Sequence, residues 1–451
     1  MSIPHWISTE LSKHFEGLDL ALGVDFDGNG VIDGSERTDL DSDGEVCTDE
    51  WKKFCEGNEN ALKILGGHFK YYYEVGSAFS PDNPIHDVIA IESELVTPDE
   101  IRKAYETAEK IYKDVKLLAS VGYFSLSWSP ISSYPATLAT HEGLYLLNKT
   151  YAAMNKNGLD FTVGLNRLFI SGISEGGVDC DTSSMIALAV GHEMDWPVYM
   201  VRAPRHAFIR WDDGEDQPFN MDYGEVYYDD GIIFSDDLYT SLLNISQHSI
   251  DNGVYLHNMS YDETIALWYA IRADRKSDLG EYAEAIADYD RAIGLDPNSA
   301  NAYFGRAYVK FSLGEDMAAI ADYEKAVELD PNDASAHYNC ANAKHALGKY
   351  AEAIDDYGKA IDLNPNYVKA YYSRAEAKYS LGKYAEAIDD YDEAIKLNPP
   401  YLATLYLNRG DAKFLSGKYK EAKEDFEKAL ELDPKLKQAK KKIKLAKKEM
   451  G

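Results

Sequence analysis

The sequence predicts an α+β core followed by an all-α solenoid. Three observations carry that expectation. The chain has 451 residues, more than one core serves, so two to four domains are expected. Its back half repeats itself about every 34 residues. Ahead of the repeats, a cysteine opens a helix-patterned stretch that leads into three strand-patterned ones.

Composition bounds the rest. With 45% hydrophobic, 12% aromatic and 27% charged residues the chain is globular and most of it is ordered. A net charge of −31 argues against binding nucleic acid through its phosphates and against docking on an anionic membrane. The charge is uneven: residues 1–260 carry 43 acids and 17 bases, the remainder 34 and 29. A calcium site, a basic partner or halophily each fits an acidic front half, and the plentiful lysines make halophily the weakest. Cys47, Cys55, Cys180 and Cys340 are too few for a disulfide framework, although Cys47 and Cys55 could pair locally. No signal peptide is visible, so the cytoplasm is the default compartment. The longest uncharged run, Leu117 to Thr140, holds six serines and two prolines and is too polar to span a bilayer. Its "FSLSWS" alternates as a half-buried strand does.

Residues 1–72 read as a helix (7–22), two acidic loops and a second helix (50–72). In "DFDGNGVIDGSE" Asp25, Asp27 and Asn29 supply alternating oxygens, Val31 a carbonyl and Glu36 a bidentate carboxylate. In "DLDSDGEVCTDE" Asp39, Asp41, Asp43, Glu45 and Glu50 repeat the scheme. Both loops resemble EF-hand loops, and the resemblance implies two Ca2+ ions. Only Arg37 and Thr38 separate them, where paired EF-hands carry two helices, so a structural clasp is expected rather than a sensor.

Residues 73–262 hold the cysteine. "DTSSMIALAVGHEMDW" is helix-patterned, with Asp181 or Thr182 as its cap. Strands are expected in "PVYMVRAP", "RHAFIRWDDGED" and "QPFNMDYG". Cys180 then lies at a helix N-terminus, which favours the thiolate. His206 opens a strand and would take and return the proton. Asp222, on the neighbouring strand, would orient the imidazole, with Asn220 on the same face in reserve. The backbone N–H of Cys180 would serve the oxyanion. This order resembles the transglutaminase-like core of the papain-like superfamily: a cysteine opening a helix, a "WPV" turn, a histidine leading a hydrophobic strand, then aspartate. The resemblance implies a Cys180 nucleophile, a His206 base and acid, and an Asp222 orienter. Asp179 and Asp181 oppose ionisation of the thiol between them. His68, His141 and His192 read as surface or core histidines.

Residues 263–434 contain five copies of one unit. "LGEYAEAIADYDRAIGLDP" ends at Pro297, and related stretches end at Pro331, Pro365, Pro399 and Pro434. The turn glycine, the Ala–Ile pair, the aromatic and the final proline resemble the tetratricopeptide repeat, which implies stacked helical hairpins that bind proteins. Phe304, Tyr308, Tyr338, Tyr372 and Tyr379 fall at groove-facing positions of the first helices. They read equally as a peptide groove or as structural aromatics. Asn339 and Lys369 fit the carboxylate clamp of chaperone-binding relatives, but Phe304, Tyr308 and Ser373 do not. Residues 435–451 read as a lysine-rich capping helix.

The functional expectation is a cysteine-dependent acyl-transfer enzyme of transglutaminase-like type. It would hydrolyse or transamidate a peptide or amide through a thioester, with the repeats recruiting a protein. The rival is an inactive, calcium-stabilised scaffold whose function is binding by the repeats.

Overall fold

The computed structural model of the chain describes residues 79–80, 83–120, 146–161, 177–214, 218–222, 232–234 and 236–450, a few positions within these apart. Both acidic loops and their flanking helices, "FSLSWS", Cys47, Cys55, His68 and His141 lie outside the described residues. The chain divides into two compact units. The first runs to Ile245 and takes in Tyr255–Leu279 and Gly294–Pro297. The second takes Ser246–Val254, Gly280–Ile293 and everything from Asn298.

In the first unit helix starts are written in side chains. Asn83 caps α1 (Pro84–Glu92) by accepting from Ile85 N–H, and proline takes the first helical position, where no donor is needed. α2 (Pro98–Ser120) opens on Thr97 and Glu100, each bonded to the other's backbone N–H. β1 (Asp160–Phe161) and β2 (Gly177–Val178) form a short parallel pair. α3 (Cys180–Glu193) follows β2 at once. It includes Cys180 itself, so Asp181 sits in its first turn instead of capping it.

β3 (Val198–Ala203), β4 (His206–Trp211), β5 (Phe219–Asp222) and β6 (Ile232–Phe234) make an antiparallel sheet in that order. The three expected strands are present. β6 was not foreseen: three apolar residues between acidic pairs are too short to show alternation. Pleating divides the sheet's side chains. Met200, Ala207, Ile209, Trp211, Phe219 and Met221 join one buried core with Met185, Ile186 and Ala189 of α3. Ile85 of α1, Tyr105 of α2 and Trp268 of α6 (Tyr261–Asp278), the helix after α4 (Asp236–Leu242) and α5 (Gln247–Asp251), complete it. A Cβ on Gly191 would lie 3.1 Å from Val198, so the α3–β3 turn packs close.

The second unit is helical hairpins. α7 (Tyr282–Leu295) precedes α8 (Ala300–Ser312) and α9 (Asp316–Leu329), then α10 (Ala334–Ala346) and α11 (Tyr350–Leu363). The series goes on through α12 (Val368–Ser380), α13 (Tyr384–Lys396), α14 (Leu402–Leu415) and α15 (Tyr419–Leu432) to the capping α16 (Lys437–Glu449). The Gly of each hairpin turn has φ between +74° and +80°, a region that penalises any Cβ. Tyr289, Tyr323, Tyr357, Tyr391 and Phe426 recur as fully buried anchors. Gly305 faces Tyr289, whose ring a Cβ would meet at 2.4 Å. α16 buries Ala439 and Ala446 in the last cluster, and Lys442 lies over the Phe426 ring.

Candidate functional site

Both candidate catalytic residues with described side chains are the first residue of their element. Cys180 is half-buried at the start of α3, and its thiol donates to Asp181 Oδ1 at 3.7 Å. That bond favours the neutral thiol, while the helix N-terminus favours the thiolate. One turn on, Ser184 Oγ donates to the carbonyl of Ala207, beside His206, at 3.5 Å. The first turn of α3 therefore lies at the end of β4 that His206 opens.

The register of β4 and β5 pairs Ile209 with Met221, Arg210 with Asn220 and Trp211 with Phe219. Position 222 thus stands opposite 208, and position 206 is its diagonal neighbour on the adjacent strand. The sequence expects Asn220 and Asp222 on one face, and the side chain of Asp222 lies outside the described ones. The imidazole of His206 lies among rings, 6.0 Å from Phe208 and 6.1 Å from Tyr239. This pleat is opposite the one on which α3 packs through Ala207 and Ile209.

Asn220, the reserve orienter, is engaged elsewhere. Its carbonyl accepts from Arg210 Nε at 2.7 Å and its amide donates to Asp236 at 2.8 Å. Arg210 also donates to Asp236 and to the carbonyl of Leu256. His192 is partly exposed beside Glu193, in keeping with a surface residue.

In the second unit the five groove candidates divide. Tyr308 is 51% exposed. Phe304, Tyr338 and Tyr372 are half-buried against the anchors, at 5.6 Å from Tyr323, 5.8 Å from Tyr357 and 6.2 Å from Tyr391. Tyr379 lies 5.5 Å from Tyr384, and Tyr372 accepts from Asn408 at 3.2 Å. Burial first, then Glu376, raises the Tyr372 phenol. Asn339, one of the two clamp-like residues, donates to Ser335 O within its own helix.

Sequence reading missed a ladder of buried aspartates. Asp322 takes Arg306 and Lys310, Asp390 takes Arg374 and Lys378, and Asp425 takes Arg409 and Lys413. Where the arginine would fall, the second hairpin carries Cys340, and Asp356 takes Lys344 at 2.7 Å with Lys359 farther off at 3.9 Å. The signal was available as Arg-x-x-x-Lys recurring with the repeat. Burial pushes the Cys340 thiol up to about 12.

Comparison with known proteins locates the family likeness in the helical repeats. Residues 273–314, 307–348 and 341–382 match the TPR repeat family, and 368–401 and 403–436 match the tetratricopeptide repeat. Residues 273–436 are a tetratricopeptide-repeat array. Among solved structures, a crystal structure of MamA protein is 30% identical, with a TM-score of 0.37, over 39% of this chain and 94% of that one. YrrB, described as a TPR protein with an unusual peptide-binding site, is 24% identical with a TM-score of 0.37, over 39% and 89%. The first TPR domain of Spaghetti, bound to an HSP90 peptide, is 35% identical with a TM-score of 0.25, over 26% and 92%. A search of curated proteins finds no match. Among the described residues no helix is long and apolar enough to cross a membrane.

Proposed function

We propose that the chain is a cysteine-dependent acyl-transfer enzyme whose tetratricopeptide array recruits a protein partner or substrate. The observation that carries the reading is the placement of Cys180 at the head of a helix packed on an antiparallel sheet. On that sheet positions 206 and 222 are diagonal neighbours on adjacent strands. In this reading the thiol and imidazole close round the end of β4. The thiolate adds to a peptide or glutamine carbonyl, and His206 then protonates the departing amine. That leaves a thioester, which water or a second amine opens while His206 accepts its proton. Asp222 holds the ring. The test is an activated glutamyl-peptide ester offered to the intact protein: one acyl adduct is expected on Cys180 and none in Cys180→Ala. Absence of the adduct from the unmutated protein overturns the enzyme.

A second reading, a binding scaffold without turnover, is favoured by one observation: the thiol is bonded to Asp181. Under either reading the array binds protein. Tyr308, the most exposed of the five aromatics, is the first residue to truncate in a binding assay.

For the acidic front we propose two calcium sites in residues 25–50, with Asp25, Asp27, Asn29, Val31 and Glu36 in one and Asp39, Asp41, Asp43, Glu45 and Glu50 in the other. The donor set is all oxygen, which suits a hard cation. Calcium would relieve repulsion among carboxylates crowded within one short stretch of chain. An ion bound only by the folded state stabilises by about 2.7 kcal/mol at a hundredfold excess over its Kd. Calcium is therefore expected to raise the first melting transition, and Asp27→Ala with Asp41→Ala to remove the shift. Identical melting curves in chelator and in calcium would dismiss the sites.

A further inference from the structure

His206 is walled in by an element that the triad does not include. α4 (Asp236–Leu242) packs on the pleat that carries His206, Phe208 and Arg210. Its Tyr239 is 4% exposed and stacks face to face on Phe208, with centroids 4.2 Å apart and planes within 2°. The same ring lies 6.1 Å from the imidazole of His206. A polar clamp fixes the helix. Asp236, its first residue, accepts from the buried guanidinium of Arg210 and from Asn220, and Arg210 is itself tied to Leu256 O. Arg210, Asn220 and Phe208 are all at most 6% exposed, so the clamp and stack form a solid floor.

His206 opens β4, paired with Ala203 of β3, and its ring lies against those of Phe208 and Tyr239. Its χ1 and χ2 are then set by whatever packs against the ring. We propose that Tyr239 is a positioning residue for His206: stacked on Phe208 and held by the Arg210–Asn220–Asp236 clamp, its ring fixes the imidazole at the end of β4 where the first turn of α3 lies. The inference rests on the reading of Cys180 and His206 as a pair. Its chemistry is steric. The wall limits the rotamers open to the imidazole and keeps the ring at the end of β4, so a larger fraction of molecules holds the ion pair at a given pH.

The test uses the full chain and iodoacetamide, with alkylation of Cys180 followed by mass spectrometry between pH 5.5 and 9. Tyr239→Leu is expected to slow labelling at pH 6.5 about tenfold, and to move the midpoint of the pH profile toward that of a free thiol. Tyr239→Phe, which keeps the ring, is expected to restore both. Asp236→Asn, which loosens the clamp and keeps the ring, should fall between them, and it replaces Tyr239→Leu if that variant does not melt cooperatively. A Tyr239→Leu profile identical to that of the unmutated protein, with His206→Ala still slow, overturns the positioning role and leaves the pair standing. If His206→Ala itself labels normally, the pair fails. The role of Tyr239 is then decided by NMR of the His206 ring, and equal ring order in the unmutated protein and Tyr239→Leu overturns it.

Discussion

His206→Ala is expected to slow alkylation of Cys180 at pH 6.5 by about a hundredfold. A free thiol with a pKa of about 8.5 is only ~1% ionised at that pH, so full ionisation by an imidazolium leaves roughly two decades to lose. Cys340 is the internal reference. Burial holds its thiol at about 12, and it is only 2% exposed, so it should remain unlabelled in both proteins until the array unfolds. Asp181 opposes the reaction. The thiol donates to its carboxylate at 3.7 Å, an interaction that exists only while the thiol keeps its proton. Asp181→Asn keeps the size and removes the charge, so it is expected to speed labelling of Cys180, most at low pH. If Cys180 reacts at one rate with and without His206, and Asp181→Asn alone accelerates it, the carboxylate controls the thiol. The scaffold reading then replaces the enzyme.

The parts of this molecule that were legible in its sequence are the periodic ones. The hairpins were readable because the same residues return at one spacing, and each turn glycine marks a backbone conformation that other residues avoid. The strand Phe219–Asp222 followed from the alternation of apolar and polar residues in "FNMD". What escaped depends on contacts between distant positions. Asn220 is occupied by Arg210 and Asp236, 10 and 16 residues away, and no spacing rule announces that partnership. Asp390 reads as one of a run of surface acids in "AIDDYDEA", yet it is buried while its neighbour Asp389 is exposed. The groove aromatics were placed by repeat position alone, and position does not tell that Phe304, Tyr338 and Tyr372 lean on the tyrosine of the following helix. At the candidate site the order of helix and strands was readable. The side of the sheet to which His206 turns was not, because a strand's first residue is placed by its packing as much as by its pleat.

Asp390→Ala is expected to destabilise the repeat array by about 3–5 kcal/mol, the usual cost of removing one member of a buried ion cluster. The carboxylate is 4% exposed. It accepts two bonds from Arg374, at 3.0 Å from Nε and 2.7 Å from Nη2, and pairs with Lys378 at 2.8 Å. Removing it leaves two cations with little access to water, which costs more than the lost attraction alone. Asp390→Asn keeps one acceptor oxygen and should lose roughly half as much. Asp389→Ala, one residue away on the exposed face, should change stability by less than about 0.5 kcal/mol. Because each hairpin contacts only its neighbours, the loss should appear as earlier unfolding centred on α12 to α14. Hydrogen exchange resolves that directly: amides of these helices should exchange faster in Asp390→Ala, while those of α8 and α9, held by the separate Arg306–Asp322–Lys310 group, should change least. If Arg374→Met with Lys378→Met restores stability to Asp390→Ala, the cost lay in the stranded charges. If it does not, the carboxylate stabilises the hairpin through its bonds to the guanidinium, and the ladder is a source of stability rather than a compensated burial of charge.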